Sequence, residues 1–354
     1  MLKARSDART GFSVTQALWD LGHMREEDTS PVDLVTRRYP EICILKPFNT
    51  CPQICVYCQR NWEIEDAMAQ GAFAGMPAIE AAVDWIREHP AIREVLVTGG
   101  DPLAMGDSRI LAILEMLAAI PTVERIRIGT RTILTMPMRI TPALADGLAA
   151  FRQPGRRQVA VITHAQHPYE ITPEVVAAVE ALRQRGIPVY NQLVYTFYSS
   201  RRFEAAALRR LLHLVGIDPY YTFNTKGKEE TAEYRVPIAR LLQEQQEEAR
   251  LQPGLERTDE AVYNVPFLGK NYLKSREHRD LIGVLPDGSR ATSSTPGRRA
   301  SLAPSRPVSP STCRSWTTCS AWPPPARTSP TTTPSGTTSE RGRTLRRNRV
   351  HGPL

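Results

Sequence analysis

Short runs rich in apolar and β-branched residues recur along the chain at Ile42–Leu45, Glu94–Thr98, Arg125–Thr130, Gln158–Thr163, Pro188–Val194 and Tyr220–Asn224. Stretches of helical period separate them: Ile79–His89, Arg109–Ala119, Pro142–Phe151, Pro173–Arg185 and Glu204–Val215, with Ile238–Arg250 after the last run. Val175, Val176, Val179 and Leu182 follow i, i+1, i+4, i+7, one helix face laid on a sheet. Strand and helix in strict alternation predict an α/β fold whose parallel sheet is wound by right-handed crossovers. Six βα units predict a partial (β/α)6 TIM-like barrel, short of the closed eight. An open doubly wound sheet is the alternative. Either architecture places chemistry at the carboxyl ends of the strands.

Two motifs fall at those ends. After the first run stands "CPQICVYC", positions 51 to 58, which sets Cys51, Cys55 and Cys58 at a CxxxCxxC spacing. After the second stands Thr98-Gly99-Gly100-Asp101. Structural zinc wants four protein ligands, and a disulfide framework wants an even count in a secreted chain. Three thiolates can instead hold three irons of a [4Fe–4S] cluster and leave the fourth open to another ligand. Two adjacent glycines, lacking Cβ, allow backbone to approach a small zwitterion. The simpler readings are three buried thiols, a partial zinc site, and an ordinary turn.

Charge narrows the choice of partners. The chain of 354 residues carries a formal +8, but Ala291–Leu354 holds ten Arg, one Glu and no Lys or Asp. That segment accounts for +9, so residues 1–290 sum to about −1 and give no electrostatic reason to expect nucleic acid. The segment is about two-thirds Ser, Thr, Pro and Arg and shows neither hydrophobic period. Two readings stay open for it. One is a genuine disordered tail. The other is a shifted reading frame: "ATSSTPGRR" from Ala291 can be encoded as GCU ACG AGU UCC ACC CCU GGG AGA AGG. With two letters dropped, the same string reads "YEFHPWEK", a sensible continuation of Leu281–Arg290. Residues 1–35 read as a helical extension without an apolar signal core, 36–290 as the barrel, and 291–354 as the tail. With no long apolar run, a soluble cytoplasmic protein is expected.

The cysteine loop and the Gly-Gly-acid turn together resemble the radical S-adenosylmethionine (SAM) superfamily. The likeness extends further. "RYPEICILKPFNTCPQICVYCQR", "VLVTGGDPL", "RIGTRTILTMPMRITPAL", "THAQHPYEITPE", "GIPVYNQLV" and "DPYYTFNTKGKEETAEYRVPI" are similar to successive blocks of the lysine 2,3-aminomutase family. That resemblance implies a radical SAM barrel with three cofactors: a [4Fe–4S] cluster, SAM and pyridoxal 5′-phosphate (PLP). It implies SAM cleavage to a 5′-deoxyadenosyl radical, hydrogen abstraction at Cβ, and movement of an α-amino group to the β-carbon. It further implies a flavodoxin- or ferredoxin-type reductant, a small amino-acid substrate, no membrane partner, and room for a homo-oligomer.

Residue by residue, the likeness makes Cys51, Cys55 and Cys58 the cluster ligands. Thr98, Gly99, Gly100, Asp101, His164 and Gln192 match positions that line the SAM site. Lys270 matches the lysine that carries PLP, across a one-residue gap, with Lys274 as competitor. Arg38 matches a residue on the PLP phosphate, whereas a second basic family position is occupied by Ile42. Arg60 matches the arginine that pairs with the substrate carboxylate. Of the two aspartates that receive the far ammonium of lysine, the matching positions hold Lys226 and Asn264. A lysine substrate would there meet like charge, costing several kcal/mol if desolvated. A side-chain carboxylate suits the pair better, as in glutamate 2,3-aminomutases. A lysine enzyme proper, a radical SAM enzyme of different outcome, and an inactive remnant are the alternatives.

Overall fold

All six apolar runs form strands, and they lie side by side in chain order. The structure is a computed structural model that describes residues 30–37, 39–58, 60, 64, 66–225, 233–265, 269–274, 279–284 and 290–294. Along the chain come β1 (Val35–Thr36), β2 (Ile42–Phe48), α1 (Met76–Arg87), β3 (Glu94–Gly99), α2 (Asp107–Ala118), β4 (Arg125–Gly129), the short α3 (Thr132–Thr135) and α4 (Pro142–Ala149). There follow β5 (Gln158–Thr163), α5 (Pro173–Arg183), β6 (Val189–Tyr195), α6 (Glu204–Leu214), β7 (Ile217–Asn224), α7 (Ile238–Leu251), β8 (Glu260–Val265) and β9 (Gly269–Tyr272). A separate ribbon pairs β10 (Arg279–Val284) with β11 (Arg290–Ser294). That last strand crosses the expected boundary at residue 291; the expected extension over 1–29 and the tail beyond 294 lie outside the described residues.

The main sheet has nine strands in the order β1 to β9. Strands β2 to β8 are parallel, and β1 and β9 are antiparallel edges. A doubly wound sheet reverses its strand order at a switch point, and none occurs here. The six βα units of the partial barrel are present, and the sheet does not close. Three strands of the main sheet exceed expectation: β1, β8 and β9. Glu260–Val265 is not among the six apolar runs, yet it pairs in parallel with β7 and in antiparallel with β9. Partners on both sides make it a strand, a tertiary effect that local pattern does not carry.

The core lies between the sheet and its helices. Val95 and Val97 of β3, Ile126 and Ile128 of β4, and Val159 and Val161 of β5 are fully buried beneath Ile79, Ile86, Ile113 and Leu117. Each such side chain contributes about 1.5–3 kcal/mol relative to exposure. Helix α5 starts at Thr172, whose side chain accepts from the Val175 N–H, with Pro173 in its first turn. Its buried face is Val175, Ala178, Val179 and Leu182, while Val176 is exposed. The expected face was one position off, because i+1 lies 100° round the helix and i+3 lies back on the stripe.

Residues alternate with this core along each strand and face the concave side. Arg127 of β4 and Lys270 of β9 share that side and are five strands apart, which would be roughly 24 Å in a flat sheet. The Arg127 charge nonetheless lowers the pKa of Lys270. The sheet is therefore curled, so that β4 and β9 approach each other on its concave side. No helix among the described residues is long and apolar enough to cross a membrane.

Candidate functional site

The loop after β2 holds the three cysteines, all half-buried. Buried Thr50 anchors it: its Oγ1 donates to the Asp66 carbonyl at 2.9 Å and accepts from the Ala69 N–H at 3.2 Å. The Met68 N–H donates to the Cys51 carbonyl, and the Cys58 N–H to the Cys55 carbonyl, each at 3.0 Å. Cys43, by contrast, is buried in β2 among core residues.

The Gly-Gly-Asp turn after β3 clasps this loop. The Gly100 N–H donates to the Phe48 carbonyl at 2.7 Å, and the Asp101 N–H to the Thr50 carbonyl at 2.8 Å. A Cβ on Gly100 would stand 2.1 Å from the Thr50 carbonyl oxygen. Gly99 has φ of +114°, and its Cβ would lie 3.0 Å from the Phe48 carbonyl oxygen. The glycines thus serve a backbone-to-backbone approach within the protein, beyond the ligand approach expected of them. Asp101 is 4% exposed. Its carboxylate accepts from Thr130 Oγ1 at 2.6 Å, the Arg131 N–H at 2.7 Å, the Thr132 N–H at 2.9 Å and the Leu103 N–H at 3.1 Å. Burial pushes its pKa up while these four donors pull it down. In this structure Asp101 sews the β3 turn to the β4 turn.

Arg131, directly after β4, reaches the cysteines. One guanidinium nitrogen, Nη1, donates to Cys55 Sγ at 3.2 Å, and Nη2 pairs with Glu170 Oε2 at 2.9 Å. Burial opposes its charge, but Tyr57, Cys55 and Glu170 more than compensate, and its pKa is pushed up. Sequence patterns assign no role to Arg131 or Glu170. The available signal was a charged residue just past a strand in "RIGTRT", and an acid in the next such turn, "THAQHPYE".

His164 follows β5. Its Nδ1 lies 3.1 Å from the Gln192 carbonyl, which can only accept, so Nδ1 carries the proton and Nε2 keeps a free lone pair. Burial first, then the Arg131 charge, lowers its pKa to about 4, so the ring is neutral near pH 7. Asn191 on β6, which sequence reasoning passed over beside Gln192, exchanges two hydrogen bonds with the Ala165 backbone and fixes this corner. Thr98 Oγ1 donates to the Gly129 carbonyl at 3.5 Å.

At the far edge of the sheet, antiparallel register sets Lys270 of β9 opposite Asn264 of β8. Lys270 Nζ lies 3.9 Å from the centroid of the Tyr221 ring and 5.5 Å from that of Phe223. Burial, with Arg127 second, lowers its pKa to about 8 against a weaker pull from Glu260. Lys274 is exposed, just past the strand. Arg60 stands near the cysteines: its Nη2 donates to Asn49 Oδ1 at 3.2 Å and its N–H to Cys58 Sγ at 3.3 Å. Arg38 and Lys226 lie outside the described residues.

These residues fit the groups the sequence implies. The three cysteines sit close enough that Cys58 and Cys55, after burial and Asp101, help push the Cys51 thiol up to about 12. Among the described residues no three His, Cys, Asp or Glu converge on a single metal ion. Three half-buried thiols on one eight-residue loop suit a cluster that takes three cysteine ligands. A half-buried lysine with a depressed pKa, among aromatic rings, suits a carbonyl-bearing cofactor.

A cleft of about 660 Å³ opens at the other end of the sheet, lined by Arg125, Arg152, Arg156, Arg157, Arg183 and Glu124. It lies at the amino ends of β4 to β6 and includes none of the residues above.

Residues 45–207 match the Radical SAM superfamily, and the chain carries a radical SAM domain. It is 53% identical over 267 residues to an uncharacterized KamA family protein of Methanocaldococcus jannaschii, which is 75% of this chain and 42% of that one. It is 37% identical to the glutamate 2,3-aminomutase of Clostridioides difficile and 33% identical to the L-lysine 2,3-aminomutase of Fusobacterium nucleatum. Each of those two matches takes in 62% of this chain and 50% of the relative. The chain thus spans half or less of the length of these curated relatives. Among solved structures, Streptococcus suis SuiB bound to S-adenosylmethionine gives a TM-score of 0.46 at 14% identity, over 65% of this chain and 51% of that one.

Proposed function

We propose that the chain is an isomerase, a radical SAM and PLP-dependent 2,3-aminomutase that moves an α-amino group to the β-carbon of an amino acid other than free lysine. The observation that carries this reading is the pairing of Lys270 with Asn264 at one edge of a curled sheet whose other edge bears the three cysteines. The named aminomutases among its relatives support it.

In this reading Cys51, Cys55 and Cys58 hold the cluster, and Lys270 and Arg38 hold PLP. When bound, the cluster and SAM supply a carbon radical and PLP supplies a conjugated ring over which an unpaired electron spreads. The chain does the rest by position. Neutral His164, held through Nδ1 by the Gln192 carbonyl, offers Nε2 as an acceptor, and Thr98 with the Gly99–Gly100 turn stands at the carboxyl end of β3. Lys270 has a free amine on roughly a tenth of molecules at pH 7, far more than an exposed lysine, because burial and the Arg127 charge hold its pKa near 8. Arg60 offers a guanidinium fork for the substrate carboxylate. Asn264, an amide partner, and Lys226 suit a distal carboxylate and disfavour a distal ammonium.

The test is an anaerobic assay of the reconstituted protein with a panel of α-amino acids, scored for β-amino acids and 5′-deoxyadenosine. Glutamate or another acidic or neutral amino acid should be converted in preference to lysine. Efficient conversion of lysine with glutamate inert would restore the lysine reaction and remove Lys226 as a specificity residue. Absence of SAM cleavage with a loaded cluster would point to an inactive remnant.

A further inference from the structure

We propose that Arg131 sets the reduction potential of a cluster bound at Cys51, Cys55 and Cys58, by donating a charge-assisted hydrogen bond to the Cys55 sulfur. This rests on the cluster part of the function proposed above and is independent of PLP and of the substrate. Residues 55 and 131 are far apart in sequence, and curling of the sheet brings the β4 turn onto the cysteine loop. The 3.2 Å contact from Nη1 to Cys55 Sγ is within the range of a hydrogen bond to sulfur.

One direct contact and two indirect ones hold the guanidinium in place. Glu170, from the turn after β5, takes Nη2 at 2.9 Å. The Arg131 backbone N–H is itself bound by the buried Asp101 carboxylate at 2.7 Å. The Glu170 carboxylate also accepts from the Gln166 N–H at 3.2 Å, which steadies the anchor. The arginine side chain is 16% exposed, so its field is weakly screened.

A cluster gains negative charge on reduction. A cation and an N–H directed at one of its ligand sulfurs stabilise the reduced form more than the oxidised form, and raise the potential. Of the three thiols, Cys58 receives the Arg60 backbone N–H, a neutral donor, whereas Cys55 receives a full positive charge. The same residue contributes to keeping His164 neutral. Arg131 is thus a positioning and tuning residue, acting through Cys55 and touching no reacting atom in this structure.

The experiment is an anaerobic redox titration, followed by electron paramagnetic resonance, on the reconstituted full chain and on Arg131→Met, Arg131→Gln and Arg131→Lys. Iron and sulfide content are measured on each. With iron content unchanged, the Met and Gln proteins should titrate at more negative potential. At a fixed poise near the wild-type midpoint, their reduced-to-oxidised ratio should fall about tenfold, the scale of one charge-assisted hydrogen bond. Arg131→Lys, which keeps the cation, should recover part of the shift. An unshifted midpoint in iron-loaded Met and Gln proteins overturns the proposal. Failure of both to load iron overturns it as well, since Arg131 would then be holding the loop. A wild-type chain that binds no iron fails the underlying cluster reading instead, and that result appears before any substitution is made.

Discussion

The two edges of the curled sheet are built by different means. Around the cysteines, position is enforced by directed polar contacts: Thr50 ties the loop, Gly100 lets two backbones touch, and Asp101 collects three donors from the next turn and one from its own. Around Lys270 the described contacts are of another kind. Cross-strand register places it opposite Asn264, and two aromatic rings wall it in. The first edge tolerates no added atom at Gly100. The second leaves a lysine with no ion pair among the described residues and a depressed pKa. A preorganised scaffold suits a metal cluster that must not shift, and a lysine without a salt bridge suits a nitrogen that must exchange its bonding partner.

Breaking the first edge should have the largest effect. Replacing Cys51, Cys55 or Cys58 with Ala should abolish SAM cleavage, measured as 5′-deoxyadenosine, while replacing Cys43 should spare it. Full turnover by Cys55→Ala would remove the cluster assignment. Breaking the second edge should leave the first intact. Lys270→Ala should lose PLP absorbance and borohydride-fixed label but keep the iron–sulfur spectrum. If Lys274→Ala loses the label and Lys270→Ala keeps it, the lysine assignment moves.

Substrate choice sharpens the comparison next. Lys226→Asp combined with Asn264→Asp should shift preference toward lysine by more than roughly a hundredfold in kcat/KM, since each ~1.4 kcal/mol of like-charge relief is tenfold. No shift in that ratio would take both residues out of the distal pocket. Gly100→Ala tests the backbone contact itself. Overpacking of this kind costs about 1–3 kcal/mol, so its Tm and its iron loading should both fall. An unchanged Tm with full iron content would show that the β2 loop can yield.

The smallest effect is the pH response of Lys270. Its pKa is lowered, so the amine becomes free as pH rises through about 8. Labelling by pyridoxal 5′-phosphate and borohydride should rise over that window and then level off. A solvent-exposed lysine would keep rising toward ~10.4, and a curve of that shape would show Lys270 to be exposed in solution.

The sequence alone determined the order of elements from Ile42 to Leu251, because hydrophobic period is local: each of the six strands and six helices expected there appears within a few residues of its expected bounds. Cysteine spacing was equally local, and so were the glycines. Only the tertiary structure decided what those glycines touch, since the partner of Gly100 is Thr50 on another strand's loop. Only sheet pairing made Glu260–Val265 a strand and set Asn264 against Lys270. Only curling of the sheet put the Arg127 charge within reach of that lysine and carried the Arg131 guanidinium to Cys55. Periodicity reports which face of an element is buried; register and curvature choose its partners, and charge acts through those partners.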